Sequence, residues 1–442
     1  MSEIKNIVGN KKIINAWALY DWANSAHALV IGSTVFPIYY SAITTDKITK
    51  SNTVSFFGGH WNADSLYTFA LSAAYLIVAL ISPILSSMAD HSGKKKQFMM
   101  FFCVLGSLSC ISMHWFTSLS TLWIGIFSFI FSMVGYSGSI VFYNAFLPEI
   151  AAPEDQDRVS AKGFAMGYGG SSLLLIFNLT MILKPEWYGI TDSTLPARIS
   201  FILVGVWWIG FSLITFYYLP GNIYNKKPSG NIVTKGYKEL ITVLKILRKT
   251  NRLKKFLSAF FFYNMGTQTV MMVATLFGTN ELHLDSGVLI TTILIIQFVA
   301  IIGSYLFAFL SKKFGNFRSL AIAIVVWIAV CISAYFVTDA YGFYALGFTV
   351  GMVMGGIQSL SRSTYSKLLP DTEEHASFFS FFDVCDKIAI VIGTFSYGLI
   401  LEVTGNMRNS IIALASFFIV GLILLLRIRV RNKDLLGEMD VD

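Results

Sequence analysis

The sequence predicts an all-α integral membrane protein, with twelve transmembrane helices arranged in two six-helix halves. Three observations carry that prediction. Of the 442 residues, 55% are hydrophobic and only 13% charged, whereas soluble globular chains carry roughly 25% charged residues. So large a deficit does not fit a thick soluble core, whose surface must still face water. Apolar runs of about 20 residues, long enough to cross the hydrocarbon core as helices, recur along the whole chain. Lys and Arg gather in alternate loops, the signature of a topology signal.

The runs lie at 13–43, 65–89, 97–116, 120–146, 162–183 and 197–219, then at 256–279, 288–310, 319–338, 341–366, 376–401 and 409–428. The first, tenth and eleventh are the weakest by hydropathy because they hold charged groups. They still count as spans, since leaving them outside would expose their apolar surface to water. With the N-terminus inside, the inner segments collect Lys5, Lys11 and Lys12, then Lys94, Lys95 and Lys96, and further on Arg158, Lys162, Lys312, Lys313, Arg318, Arg362 and Lys367. The tail adds Arg427, Arg429, Arg431 and Lys433, while the outer loops hold only Lys47, Lys50, Lys184, Arg198 and Arg408. That asymmetry predicts a cell-membrane protein with both termini in the cytoplasm.

The chain therefore divides into an N-terminal half (1–219), a basic cytoplasmic linker (220–255) and a C-terminal half (256–442). Pro220, Gly221, Pro228 and Gly230 mark the linker's first part as flexible. Its second part sets Leu240, Ile241, Leu244 and Leu247 on one helical face, with Lys238, Lys245, Arg248, Lys249 and Arg252 mostly elsewhere. This predicts an amphipathic helix on anionic lipid of the inner leaflet, or else a solvated linker helix. The net charge of +8 is scattered through short loops, which excludes a phosphate-binding stripe and hence a nucleic-acid partner. Cys103, Cys110, Cys331 and Cys385 all fall within apolar runs, which speaks against a disulfide framework or a cysteine metal site. The first apolar run contains Asp21 and lacks a small-residue cleavage site, so no cleaved signal peptide is expected. No ATP-binding or metal-ligand motif is present, and no cofactor is expected. Gly135-Tyr136-Ser137-Gly138 matches a four-residue rhomboid protease signature, but nothing else in the chain accompanies it. The chain is expected not to be an enzyme, and to act as a monomer.

Two six-span halves joined by a basic loop resemble the major facilitator superfamily. Between spans two and three, Ser86-Ser-Met-Ala-Asp90-His-Ser-Gly93-Lys94-Lys95 is similar to that superfamily's G-x-x-x-D-x-x-G-R/K-R/K signature, with Ser86 in place of the first glycine. Gly93 permits a tight turn, the lysines anchor it at the interface, and Asp90 can face the positive N-terminal end of a helix. The resemblance implies that this helix is span eleven and that Asp90, Gly93, Lys94 and Lys95 help to gate one alternating state. The matching segment of the second half, Gly303 through Lys312-Lys313-Phe314-Gly315, is a degenerate echo. A narrower resemblance, to the vacuole-effluxer-like branch of the superfamily, covers most of the chain. It rests on Trp17-Ala-Leu-Tyr-Asp21-Trp-Ala-Asn24-Ser25, Tyr143-Asn144-Ala-Phe-Leu-Pro148-Glu149 and Ser160-Ala-Lys162-Gly163-Phe-Ala. The second half adds Gln358-Ser-Leu-Ser-Arg362-Ser-Thr-Tyr-Ser-Lys367 and Ala376 through Asp383-Val-Cys-Asp386-Lys387. The branch implies a secondary active transporter of a small polar organic solute, with efflux of amino acids foremost. A non-transporting sensor or scaffold on the same fold is the alternative.

Ionisable groups inside spans carry the chemical signal, because each costs about 2.5–3.5 kcal/mol at mid-membrane on insertion scales. Span eleven holds Asp383, Asp386 and Lys387, with Asp383 and Lys387 at i,i+4. Two acids and one base leave a surplus negative charge, to be met by a proton, a cationic substrate group or Arg362. Either one carboxyl titrates during the transport cycle, or the trio is a structural lock. Span one sets Asp21, Asn24 and Ser25 beside Trp17 on one face, with His27 slightly aside. Asp21 could bind an ammonium group, relay protons or pair with Arg362. His27 reads as a packing residue or a pH switch. Spans one, four, seven and ten line the central site in the superfamily. Asn144, Asn264, Gln268 and Gln358 are therefore candidate solute contacts, or interhelical ties worth about 1 kcal/mol each. Glycines at fourfold spacing in spans five and ten (Gly163 and Gly167; Gly347, Gly351 and Gly355) suit close helix packing.

Overall fold

A computed structural model of the chain describes residues 6–45, 53–226 and 232–428. Lys5, Lys47, Lys50, Pro228, Gly230, Arg429, Arg431 and Lys433 lie outside the described residues. The N-terminal half contributes span one (Lys11–Thr44), span two (Ala63–Ser92), span three (Lys95–Ser112), span four (Leu122–Asn144), span five (Gln156–Leu183) and span six (Leu195–Tyr218). The C-terminal half contributes span seven (Asn251–Leu276), span eight (Ser286–Phe314), span nine (Asn316–Phe336), span ten (Ala340–Lys367), span eleven (His375–Thr404) and span twelve (Met407–Leu426). Most begin and end within a turn of the predicted run, while spans five and seven start more than a turn earlier, at Gln156 and Asn251.

Eleven of these helices are apolar enough to cross a membrane. The exception is span seven, not one of the three expected to be weakest. Arg252, Lys254 and Lys255 crowd its first turns, and Asn264 and Gln268 interrupt its middle. Its 26 residues still reach about 39 Å at 1.5 Å per residue.

Side-chain caps start several spans. Asn10, Asn62 and Asn406 each accept two backbone N–H bonds from the first turn of spans one, two and twelve, meeting donors that a helix end leaves open. Between spans one and two lies a hairpin, β1 (Thr53–Phe56) pairing antiparallel with β2 (Gly59–Asn62). It marks one face of the bundle, the hairpin face. The opposite face carries the 220–255 connection and is the linker face. Span one is π-helical over His27–Thr34. There Thr34 Oγ1 donates to the Leu29 carbonyl at 2.6 Å and Ser33 Oγ to that of Ala28 at 2.8 Å, satisfying carbonyls that the wider turn leaves behind.

Apolar side chains outside the packed core, such as Leu76, Leu80 and Ile84 of span two, stand exposed on the bundle's flank, as lipid-facing residues should. The halves meet where span two packs on span eleven and span five on spans eight and ten. Small residues set the closest approaches within and between halves: a Cβ on Gly355 would overlap the Ala300 carbonyl of span eight.

The linker helix (Ile232–Lys249) is amphipathic, yet it docks on protein. Val243 is fully buried, Ser87 Oγ of span two donates to the Gly236 carbonyl at 2.5 Å, and Leu240 and Leu247 are half-buried. This corrects the expectation of a helix lying free on lipid or in solvent. Its buried face is centred on Gly236 and Val243, because Gly236 lets the backbone come within van der Waals contact of Met88. The same helix brings Glu239 beside His91 (3.7 Å) and against the carboxyl of Glu374, just ahead of span eleven.

Burial, then the facing Glu239 carboxyl, pushes Glu374 up to about 7. Both causes oppose its ionisation, so the docked pair is favoured at low pH and weakened as pH rises through that value. Spin labels at Lys238 and Asp371 are expected to stay close below pH 7 and to separate above it. Glu374→Gln should abolish that dependence, and an unchanged pH response in that variant would refute the assignment.

Candidate functional site

Two polar clusters centre on acids deep within spans: at 1.5 Å per residue, Asp21 lies roughly 15 Å and Asp383 roughly 12 Å from the linker-face end of its helix. The first joins the halves. Arg362 of span ten, only 3% exposed, crosses into the N-terminal half, where its Nη1 meets Asp21 Oδ2 at 3.1 Å and Asn144 Oδ1 at 3.3 Å. Its Nε donates to Ser160 Oγ at 2.9 Å and its Nη2 to the Ser160 carbonyl at 2.8 Å. Tyr143 donates its hydroxyl to Asp21 Oδ2 at 2.6 Å.

The guanidinium sits over Phe164 (4.1 Å) and Trp17 (4.8 Å), and Trp17 stacks on Tyr143 at 4.4 Å. An arginine is suited to this place, since its planar fork bonds in several directions while its faces stack on rings. Gly163 leaves the room, because a Cβ there would come within 2.5 Å of Asp21 Oδ2. Of the sequence's alternatives for Asp21, the arrangement is the pair with Arg362.

The second cluster belongs to the C-terminal half. Lys387 Nζ lies 2.8 Å from Asp386 Oδ2 and 3.2 Å from Asp383 Oδ1. Asp386 Oδ1 accepts from Asn264 Nδ2 at 2.7 Å and Gln268 Nε2 at 3.1 Å, both on span seven. The ring of Tyr75 on span two faces Lys387 at 5.6 Å. Asp383 Oδ2 is buried with no hydrogen-bond partner. Because Arg362 is taken by Asp21, it does not meet the surplus charge of this trio.

The other candidates separate. His27 contacts Ser132 Oγ at 3.1 Å and stacks on Tyr136 at 5.0 Å inside the N-terminal half, a packed position. Asn24 is wholly buried and meets Ser25 at 3.4 Å. Gln358 accepts from Tyr168 of span five at 2.6 Å, another tie between halves.

Asp90 meets the N-terminus of span eleven, as the resemblance implied: Ser377 N–H and Oγ donate to its Oδ2 at 2.7 and 2.8 Å. Gly93 turns the chain with φ of 66°, a left-handed conformation that favours glycine. Lys94 is exposed, but Lys95 is buried and pairs with Glu149. That corrects its reading as an interface anchor, because Glu149, itself buried, requires a counter-ion.

Glu149 also faces His375 Nδ1 at 3.1 Å, across the halves. Asp157 forms a further tie, with Lys367 Nζ at 2.7 Å, Asn316 Nδ2 at 2.7 Å and Ser311 Oγ at 2.8 Å. Sequence reasoning counted Lys367 among the inner-loop charges and singled out neither Asp157 nor His375, because all three sit at span ends. Their burial arises only when the halves close on each other.

Twelve helices in two halves, tied across the linker face and carrying buried charges between them, have the architecture of the major facilitator fold, and the relatives that match the chain are membrane transporters, not enzymes. The chain belongs to the Atg22-like vacuole effluxer family, whose pattern matches residues 9–435. It is 33% identical over 414 residues to the MFS-type transporter YxiO of Bacillus subtilis, covering 93% of each chain. It is 26% identical to autophagy-related protein 22 of Yarrowia lipolytica, over 86% of this chain and 78% of that one. Among solved structures, the fold is similar to the transporter FucP in its outward conformation (TM-score 0.70, 14% identity, 95% of this chain and 100% of that one). It is also similar to the proton:xylose symporter XylE (TM-score 0.71, 13% identity, 95% of both).

Proposed function

We propose that the chain moves a small polar organic solute, with amino acids the first class to test, by alternating access driven by a proton gradient. The observation that carries this reading is the unbalanced trio Asp383, Asp386 and Lys387 between spans seven and eleven. A permanent surplus charge in a membrane span is expensive, so a mobile cation, a proton or a substrate ammonium, is the economical partner. Loop charges support the linker face as cytoplasmic. The ties of Asp90, Glu149, Asp157 and Arg362 then close the cytoplasmic side, and the cycle must break them to open it. Segments 1–219 and 256–442 would rock against each other about the central site. Asn264 and Gln268 supply amide contacts to a zwitterionic solute reaching the trio.

The test is uptake of a labelled amino-acid mixture into proteoliposomes, with and without an imposed pH gradient. Gradient-stimulated uptake is expected, reduced at least tenfold in the Asp383→Asn, Asp386→Asn double variant. Unchanged gradient-driven uptake by a folded double variant would remove the coupling proposal. No uptake of any amino acid would remove that solute class and favour a sensor or another solute.

A further inference from the structure

We propose that Asp383 is the carboxyl of the trio that takes up and releases the proton, while Asp386 stays ionised as the fixed partner of Lys387. This rests on the proton-driven reading and assigns its residue. The two acids differ in their donors. Asp386 has both oxygens occupied: Oδ1 accepts from Asn264 and Gln268, and Oδ2 from Lys387. Three donors aimed at a carboxylate favour its charged form, and a proton on it would weaken all three bonds, the ammonium contact most of all.

Asp383 shares Lys387 through Oδ1 alone, at 3.2 Å, and its Oδ2 has no donor although the residue is only 4% exposed. One ammonium cannot neutralise two carboxylates, and an ionised oxygen without donors is the costlier of the two to keep. A proton on Asp383 Oδ2 removes the surplus charge without breaking any bond. On release to water, Lys387 can swing toward Asp383 within its i,i+4 reach while Asn264 and Gln268 continue to hold Asp386.

Among the described residues, the elements packed against span eleven bring no other charged group to the trio. Span two offers the ring of Tyr75, span four offers Tyr136, and span seven the two neutral amides. Within span eleven, Cys385 is the remaining titratable neighbour. Span twelve carries its one ionisable residue, Arg408, in its first turn, where it pairs with Glu281 at 2.7 Å. The linker helix reaches span eleven near Glu374, more than two turns before Asp383. The acids Asp21, Asp90, Glu149 and Asp157 already have cationic or multiple hydrogen-bond partners.

The test needs no transported solute. Infrared difference spectra of the purified protein in lipid, recorded on pH steps about neutrality, report the carbonyl stretch of protonated carboxyl groups. The expected result is a titrating band that is lost in Asp383→Asn, shifted in frequency but kept in Asp383→Glu, and present with a displaced midpoint in Asp386→Asn, which leaves Lys387 a single carboxylate to neutralise. Asp383→Glu guards against loss through misfolding. A band that persists unchanged in Asp383→Asn, or that is absent at every pH in Asp386→Asn, overturns the assignment. If the band belongs to Asp383 but uptake ignores the pH gradient, the coupling reading fails and the protonation site stands. The two failures are thus distinguishable.

Discussion

Replacing Arg362 by methionine is expected to destabilise the protein by about 3–5 kcal/mol, the range for breaking one side of a buried ion pair. The guanidinium supplies bonds to Asp21, Asn144 and Ser160 at once, and methionine keeps bulk but no donor. Asp21, 5% exposed, would retain only the Tyr143 hydroxyl. The thermal midpoint in detergent should therefore fall well below that of the parent protein. Adding Asp21→Asn to the same chain should recover much of the loss, because the buried charge disappears with its partner. No recovery in that double variant would show that Arg362 acts through its stacking on Trp17 and Phe164 instead. The same substitution removes a tie between the halves. It should also shift the population toward the state open at the linker face, which cysteine accessibility at Ser359 would report.

Substituting leucine for Gly355 is the second large effect. A Cβ there would overlap the Ala300 carbonyl and come within 2.7 Å of Ser304 Oγ, both on span eight. The contact is with backbone, which cannot rotate away, and overpacking a well-packed site typically costs 1–3 kcal/mol, sometimes more. Among the described residues, spans eight and ten pack more extensively than any other pair of helices, so the strain cannot be confined. The yield of monodisperse protein is expected to fall at least tenfold. Gly398→Leu is the matched control, since nothing lies within 4 Å of a Cβ there, and its yield should be unchanged. Equal losses in both would mean that leucine harms insertion and not packing.

Much of the architecture was legible in the sequence. Hydropathy located every span, and most span ends to within a turn, because each segment meets the bilayer alone, before any tertiary contact. Span seven shows where that reasoning thins: its polar middle is affordable only because Asp386 of span eleven accepts from Asn264 and Gln268. The linker helix shows the same limit from the other direction. Its amphipathic pattern announced an apolar face but not what would cover it, and the base of span two covers it.

The candidate site divides in the same way. The sequence by itself determined that Asp21, Arg362, Asp383, Asp386 and Lys387 lie within spans, and that span eleven carries one negative charge too many. It also placed Asp90 at a helix end where a dipole could hold it, since a left-handed glycine three residues later has a strong local cause. Beyond the i,i+4 pair of Asp383 and Lys387, only the tertiary structure decided who pairs with whom. Arg362 had two acidic destinations by helical depth, and the approach of span five through Gly163 and Ser160 delivers it to Asp21. Membrane insertion depends on the sum of each segment's transfer energies, which a sequence records. The choice of partners depends on distances between segments far apart in the chain, and those exist only once the two halves have packed.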